Sequence, residues 1–313
     1  MSRKVRAHIL LFFTSFIWGS AFVAQSVGME HLGPFTFNGV RMLISGFALT
    51  IVVIIWKRIP KTQQAASSSV QSTLEDTENS KKTLFRAGIW CGVIVFAAST
   101  FQQVGLVYTT AGKAGFLTTM YIILVPILGI FMKRKIGKRI WFCVILAVVG
   151  IYLLCLVENL RMNFGDFLML FCALGYAIHI IVIDHFSNRV DAVRLSQIQF
   201  FVAGIISLAP MFIFETPAVS NILLAWLPLV YAAVLSGAIG FTFQIIAQKD
   251  IKPTVAALIM SFESVFAVLT GFVILSELLS SREILGCILM FTAVIIAQLP
   301  EKTGKDKLEE RIQ

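Results

Sequence analysis

Residues 140–157 read IWFCVILAVVGIYLLCLV, a run with no charged side chain and none of the amide-bearing ones. At 1.5 Å of rise per residue, a helix of this length spans about 27 Å, close to the ~30 Å hydrocarbon core of a bilayer. The run reads as a bilayer-crossing helix. Similar runs recur along the whole chain, and ten are expected: Ile9 to Gly28, Pro34 to Trp56, Leu84 to Tyr108, Gly112 to Met132, Ile140 to Val157, Phe167 to His185, Leu195 to Phe214, Leu224 to Ala247, Pro253 to Glu277 and Ile284 to Leu299. Of 313 residues, 58% are apolar and only 14% charged, with a mean hydropathy of +0.86. That is more apolar surface than one soluble core hides, so the excess faces lipid.

The formal charge of +9 is spread in a way that speaks of orientation and not of nucleic acid. If both termini are cytoplasmic, 22 of the 26 basic residues lie on the inner side, in Arg3 to Arg6, Lys57 to Arg86, Lys133 to Arg139, Arg189 to Arg194, Lys249 to Lys252 and Lys302 to Arg311. Only Lys113, Arg161 and Arg282 fall outside, and Arg41 lies within a span. Lys and Arg are retained on the cytoplasmic side, so a multi-pass protein of the cytoplasmic membrane is expected. The basic start ahead of Ile9 lacks a small-residue cleavage site followed by a soluble domain, and the first span is read as a retained helix. Cys91, Cys143, Cys155, Cys172 and Cys287 fall inside apolar runs at no metal-ligand spacing, as small buried hydrophobes.

Most connections are short, which leaves the chemistry to the inside of the bundle. The exception is residues 57–83, rich in Gln, Ser, Thr and charge, too polar to fold alone and expected as a disordered cytoplasmic loop. Residues 301–313 form a charged tail. Phe101-Gln102, Ala114 and Gly129 align without gaps on Phe243-Gln244, Ala256 and Gly271. Five spans per half is an odd number, so a second half starts from the opposite side of the membrane. Two five-helix repeats of inverted topology, 1–157 and 158–300, are expected, with a site near the midplane between them.

Polar groups inside these runs are the candidates for that site, because an ionisable side chain at mid-bilayer costs roughly 2.5–3.5 kcal/mol on insertion scales. Glu263 lies midway along the ninth run on a face with Ala256, Met260, Ala267, Thr270 and Gly271. It reads as a substrate or proton site, or as a hydrogen bond between helices. Arg41, near Asn38, is the one arginine deep within a run; it either snorkels to the outer interface or holds an anion such as a substrate carboxylate. Gln102 and Gln244 supply neutral hydrogen bonds to a ligand or to packing. His179 is a titrating group or a core histidine, Trp18 an aromatic wall or core, and Pro126 is expected to kink the fourth helix. There is no HExxH, GxSxG, P-loop or clustered His/Cys set, so neither an enzyme nor a cofactor or metal is expected.

Trp18-Gly19-Ser20-Ala21-Phe22, Asn38-Gly39-Val40-Arg41 and Ser261-Phe262-Glu263-Ser264-Val265-Phe266-Ala267, followed by Glu277 and Gly286, resemble the EamA-like branch of the drug/metabolite transporter superfamily. The resemblance implies ten helices in two inverted repeats and a central cavity lined mainly by helices one to four and six to nine. It places Glu263 on the cavity-facing motif of the ninth helix, Glu277 at that helix's outer end and Arg41 at the second-helix arginine. It implies a permease for amino acids or other small metabolites, often working outward, without an ATPase domain. The expected partners are a small-molecule substrate and the lipid bilayer, with proton coupling and a second copy of the chain as further candidates. Against this stand an intramembrane enzyme using Glu263 and a sensor or scaffold subunit that transports nothing.

Overall fold

The computed structural model describes residues 2–58, 74–109, 111–155, 163–275 and 281–299. Within them the chain runs through α1 (Arg3–Gly28), α2 (Pro34–Arg58), α3 (Leu74–Leu106) and α4, which is two pieces, Ala111–Thr118 and Tyr121–Phe131. Then come α5 (Lys138–Cys155), α6 (Phe164–Phe186), α7 (Ala192–Phe214), a short helix Val219–Leu224 and α8 (Trp226–Ala247). The last are α9, again in two pieces, Pro253–Met260 and Glu263–Leu275, and α10 (Ser281–Gln298). The face of the bundle carrying residue 2 is called the N-terminal face below, and the other the far face.

Eight of these helices are long and apolar enough to cross a membrane. The other two of the expected ten, α5 and α10, border residues outside those described; within the described residues α5 runs for 18 residues and the apolar part of α10 covers Ile284–Ala297. Helix α3 also begins earlier than its apolar run, at Leu74, and takes the last ten residues of the loop expected at 57–83. Residues such as Lys81 and Lys82 are good helix formers, so the helix continues past the apolar segment. Residues 59–73, Glu277 and the tail 301–313 lie outside the described residues.

Polarity is arranged inside out relative to a water-soluble fold. Phe131 is 81% exposed, Val273 75% and Ile213 72%, whereas Asn38, Gln103, His179, Gln199 and Glu263 are buried. Lipid tolerates the first set and excludes the second, which therefore gathers between helices.

Helix starts are capped where the sequence supplies an oxygen. The Ser2 Oγ accepts from the Val5 amide at 3.3 Å and the Asp191 Oδ1 from the Arg194 amide at 2.9 Å. Asn163 and Asp166 cap each other reciprocally at the start of α6, at 2.9 and 2.8 Å. Longer-range polar contacts then fix the ends of the bundle. Glu215, just after α7, accepts from the amides of Phe35 and Thr36 at 3.0 and 2.7 Å and so caps α2 from another helix. Ion pairs tie α4 and the segment after it to α6 at both faces, Lys113 of α4 to Asp166 at 2.5 Å and Arg134 of the α4–α5 connection to Asp184 at 2.8 Å.

In mid-membrane the seams are closed by shape. A Cβ on Gly19 of α1 would lie 2.5 Å from the Glu263 carbonyl oxygen and 2.6 Å from the Phe266 Cβ, so α1 and α9 approach as only glycine permits. Edge-on contacts of Phe12 and Phe16 with Phe266, at 5.3 and 5.2 Å between ring centroids, extend that seam toward the N-terminal face.

Candidate functional site

The two interrupted helices set up the site. In α4 the break falls at Thr119-Met120, where the Ile122 amide bonds to the Thr119 carbonyl at 2.9 Å and the Ile123 amide to that of Met120 at 3.0 Å. In α9 it falls at Ser261-Phe262, with the Ser264 amide bonded to the Ser261 carbonyl at 3.2 Å. These are three-residue turns inserted into four-residue ladders. Pro126 lies within Tyr121–Phe131, six positions beyond the α4 break, so the expected kink does not coincide with the interruption.

Residues 119 and 261 differ by 142, the offset of the aligned pairs Gln102 and Gln244, so the breaks fall at matching positions. The residue following each break is Tyr121 in α4 and Glu263 in α9. Both line one cavity enclosed by α1 to α4 and α6 to α9. Tyr121 is the side chain that the Glu263 carboxyl faces, close enough to interact, yet the geometry leaves its hydroxyl and the Glu263 Oε1 without a well-formed hydrogen bond within the protein. An enclosed polar atom left without a partner is costly, and a ligand or water entering the cavity would satisfy both.

Arg41 occupies another part of the same wall. It is 5% exposed, so it faces the cavity and does not snorkel to an interface. Its Nε and one terminal nitrogen donate to the Asn38 Oδ1 at 3.1 and 3.0 Å, and the Asn38 amide nitrogen donates to the Thr100 Oγ1 at 3.2 Å. The guanidinium lies 5.9 Å from the Phe37 ring centroid. Among the described residues no carboxylate reaches ion-pair distance of it. A buried cation held by a neutral oxygen and an aromatic face keeps a net charge to offer an anion.

Helix α8 supplies the opposite wall in an unusual form. From Tyr231 to Phe241 it is a π-helix, and its backbone oxygens accept side chains from the first helices. The Trp18 Nε1 donates to the Ser236 oxygen at 3.0 Å and the Ser45 Oγ to the Ala233 oxygen at 2.8 Å, while Ser20 is hydrogen-bonded to the Tyr231 hydroxyl. Gly237 and Gly240 make room for this, since a Cβ at either would collide with Ser45 or Trp18. Wide π turns are rare and often mark functional sites.

Of the residues singled out in the sequence, Trp18, Arg41, Gln102, Gln244 and Glu263 share this cavity. Asn38 stands behind Arg41 and orients it. His179 is outside the wall, fully buried, with its Nε2 3.1 Å from the Gln199 Oε1, its Nδ1 without a hydrogen-bond partner and its ring edge-on to Phe241. Trp18 walls the cavity with its ring, its N–H being tied to α8. Sequence reasoning missed Tyr121, Tyr176, Gln25 and Ser236 on the wall. The 142-residue offset applied to Glu263 is the one signal that picks out Tyr121. The cavity measures about 40 Å3 to the centre of a water-sized sphere, room for a few waters. A metabolite enters only if the surrounding helices separate.

The sequence model of the EamA-like transporter family matches residues 5–156 and again 163–298. A protein of Archaeoglobus fulgidus named as an uncharacterized transporter is 32% identical over 298 residues, covering 95% of this chain and 87% of its own length. An uncharacterized transporter of Synechocystis sp. is 27% identical, covering 94% and 89%, and one of Bacillus subtilis, YetK, is 23% identical, covering 96% and 89%. A crystal structure of a protein superposes with a TM-score of 0.74 over 99% of both chains at 14% identity, a likeness of fold.

Proposed function

Because the chain belongs to the EamA-like transporter family, we propose that it is a secondary transporter that exports a small polar metabolite bearing an anionic group, such as an amino acid, by alternating access. The observation that carries this reading is a single cavity holding an unpaired buried Arg41 and a buried Glu263, too small in this conformation to admit a metabolite. Arg41 takes the anionic group, Gln102 and Gln244 supply neutral hydrogen bonds, and Glu263 binds and releases the coupling proton.

The two bodies that move are residues 1–157 and 158–300, and the breaks in α4 and α9 are where each is jointed at the site. Discontinuous helices meeting at the midplane are a recurrent way to present polar backbone to a substrate without exposing it to lipid. The N-terminal face, rich in Lys and Arg, is the cytoplasmic one. Proteoliposomes of the purified chain, loaded with a panel of labelled amino acids and organic anions, test the reading. Saturable release abolished by Arg41→Ala supports it; a panel released no faster than from empty liposomes overturns it.

A further inference from the structure

A second recess lies at the N-terminal face, away from the central cavity, between the start of α1, the α4–α5 connection, the α8–α9 connection and the end of α10. Its polar side is made by Lys4, Lys135, Arg139 and Lys252, with His8 beside them and Asp250 as the one acidic group. Among the described residues, no carboxylate lies within ion-pair distance of Lys4, Lys135 or Lys252. Three ammonium groups on three different chain segments thus converge without an ion-pair partner among the described residues. Helix α9 starts there too, at Pro253, with no side chain capping its first turn, so its positive end adds to the field.

The other side of the recess is apolar. Ile136 just before α5 and Ile140 in its first turn, with Ala297 in the last turn of α10 and Leu299 just beyond it, line it, and both helices turn large apolar side chains outward, Ile145 of α5 and Ile295 of α10 each being 61% exposed. A site for a soluble anion has no use for such a wall. A phospholipid has use for both halves, its phosphate among the lysines and its acyl chains along α5 and α10.

We propose that this recess binds the phosphate headgroup of an acidic phospholipid. The headgroup bridges α1 and the α4–α5 connection to the α8–α9 connection, joining the first five helices to the last five at this face. A ligand that binds only one arrangement of these segments shifts the population toward it, so the lipid favours the form in which the central cavity is shut from the N-terminal side.

Titration of the detergent-purified chain with dioctanoyl phosphatidylglycerol, read by the midpoint of thermal unfolding, tests the site. The midpoint should rise with phosphatidylglycerol and not with dioctanoyl phosphatidylcholine. In the triple variant Lys4→Gln, Lys135→Gln, Lys252→Gln, half-saturation should move to a concentration on the order of 100-fold higher, at about 1 kcal/mol per basic residue. A second variant, Lys81→Gln, Arg189→Gln, Arg194→Gln, removes as many charges from the same face outside the recess and should keep the parent's half-saturation. Equal losses in the two variants would mean diffuse attraction and overturn the site. A rise of the same size with glycerol phosphate alone would overturn the lipid as its occupant and assign the recess to a soluble phosphate.

Discussion

Tyr121 and Glu263 stand 142 residues apart, each directly after the two-residue interruption of its helix, and they face one another across the wall of one cavity. Each helix break is followed by a polar group turned to the cavity, and the two helices come from opposite halves of the chain. Any change in how α4 sits against α9 alters this pair directly.

The pair is therefore predicted to act as a unit. Tyr121→Phe and Glu263→Gln should each slow substrate release from proteoliposomes, and the double variant should be no slower than the worse single one. The coupling measured this way should be at least about 0.5 kcal/mol, as for groups in contact. Strictly additive losses would show that the two act separately.

Much of this architecture is legible in the sequence, for physical reasons that stop short of the site. Apolar runs of about twenty residues are imposed by bilayer thickness, so the spans read directly. Arg41 and Asn38 are three positions apart on one helix face, and their contact follows from helical spacing. The breaks do not read: Thr119-Met120 and Ser261-Phe262 contain neither Gly nor Pro, whereas Pro126, the residue that promises a kink, sits inside an unbroken segment. Tyr121 is one aromatic among apolar neighbours, and only the repeat offset distinguishes it. Nothing in residues 231–241 announces a π-helix, because its stability comes from Trp18 and Ser45 on other helices.

Close approach of α1 to α9 makes Gly19 a sensitive position. Gly19→Ala should lower stability by about 1–3 kcal/mol, because the added methyl meets backbone atoms that cannot swing aside. Gly112→Ala is the matched control: nothing lies within 4 Å of its would-be Cβ, and helix propensity should leave it neutral or stabilised by up to about 1 kcal/mol. Thermal unfolding in detergent, run side by side, decides this.

Orientation is predicted from the basic residues. A reporter inserted within residues 59–73 and another fused after Gln313 should both report cytoplasm, and one between Glu30 and His31 the opposite side. Finding either of the first two outside would overturn the arrangement of ten spans.

Arg41 should not tolerate lysine. Its planar fork makes two bonds to the Asn38 oxygen and still presents donors to the cavity, whereas an ammonium group offers a single point of charge. Arg41→Lys should reduce transport about tenfold or more, the loss of one strong hydrogen bond to a charged group. Asn38→Ala should weaken substrate binding in the same direction, since the guanidinium loses the oxygen that orients it. Unchanged transport in Arg41→Lys would mean that the charge alone suffices.

The proposed proton coupling rests on Glu263. Among the described residues lining the cavity it is the one carboxyl group, it is 3% exposed, and no basic side chain lies within ion-pair distance. When the cavity is shut, the carboxylate has room for only a few waters and no ion-paired cation to stabilise its charge, whereas an open cavity hydrates it fully. On the proposed mechanism, protonated and ionised forms are stabilised by different arrangements of the surrounding helices, and a proton gradient biases which one prevails. Glu263→Gln keeps the size and a hydrogen-bonding amide but cannot titrate. In proteoliposomes that variant should still exchange labelled substrate for unlabelled at equal pH on both sides. Imposing a pH difference across the membrane should drive accumulation in the parent and none in the variant. If instead Glu263→Gln accumulates substrate with the parent's dependence on the pH difference, the proton is carried elsewhere and Glu263 serves only to join α9 to its neighbours.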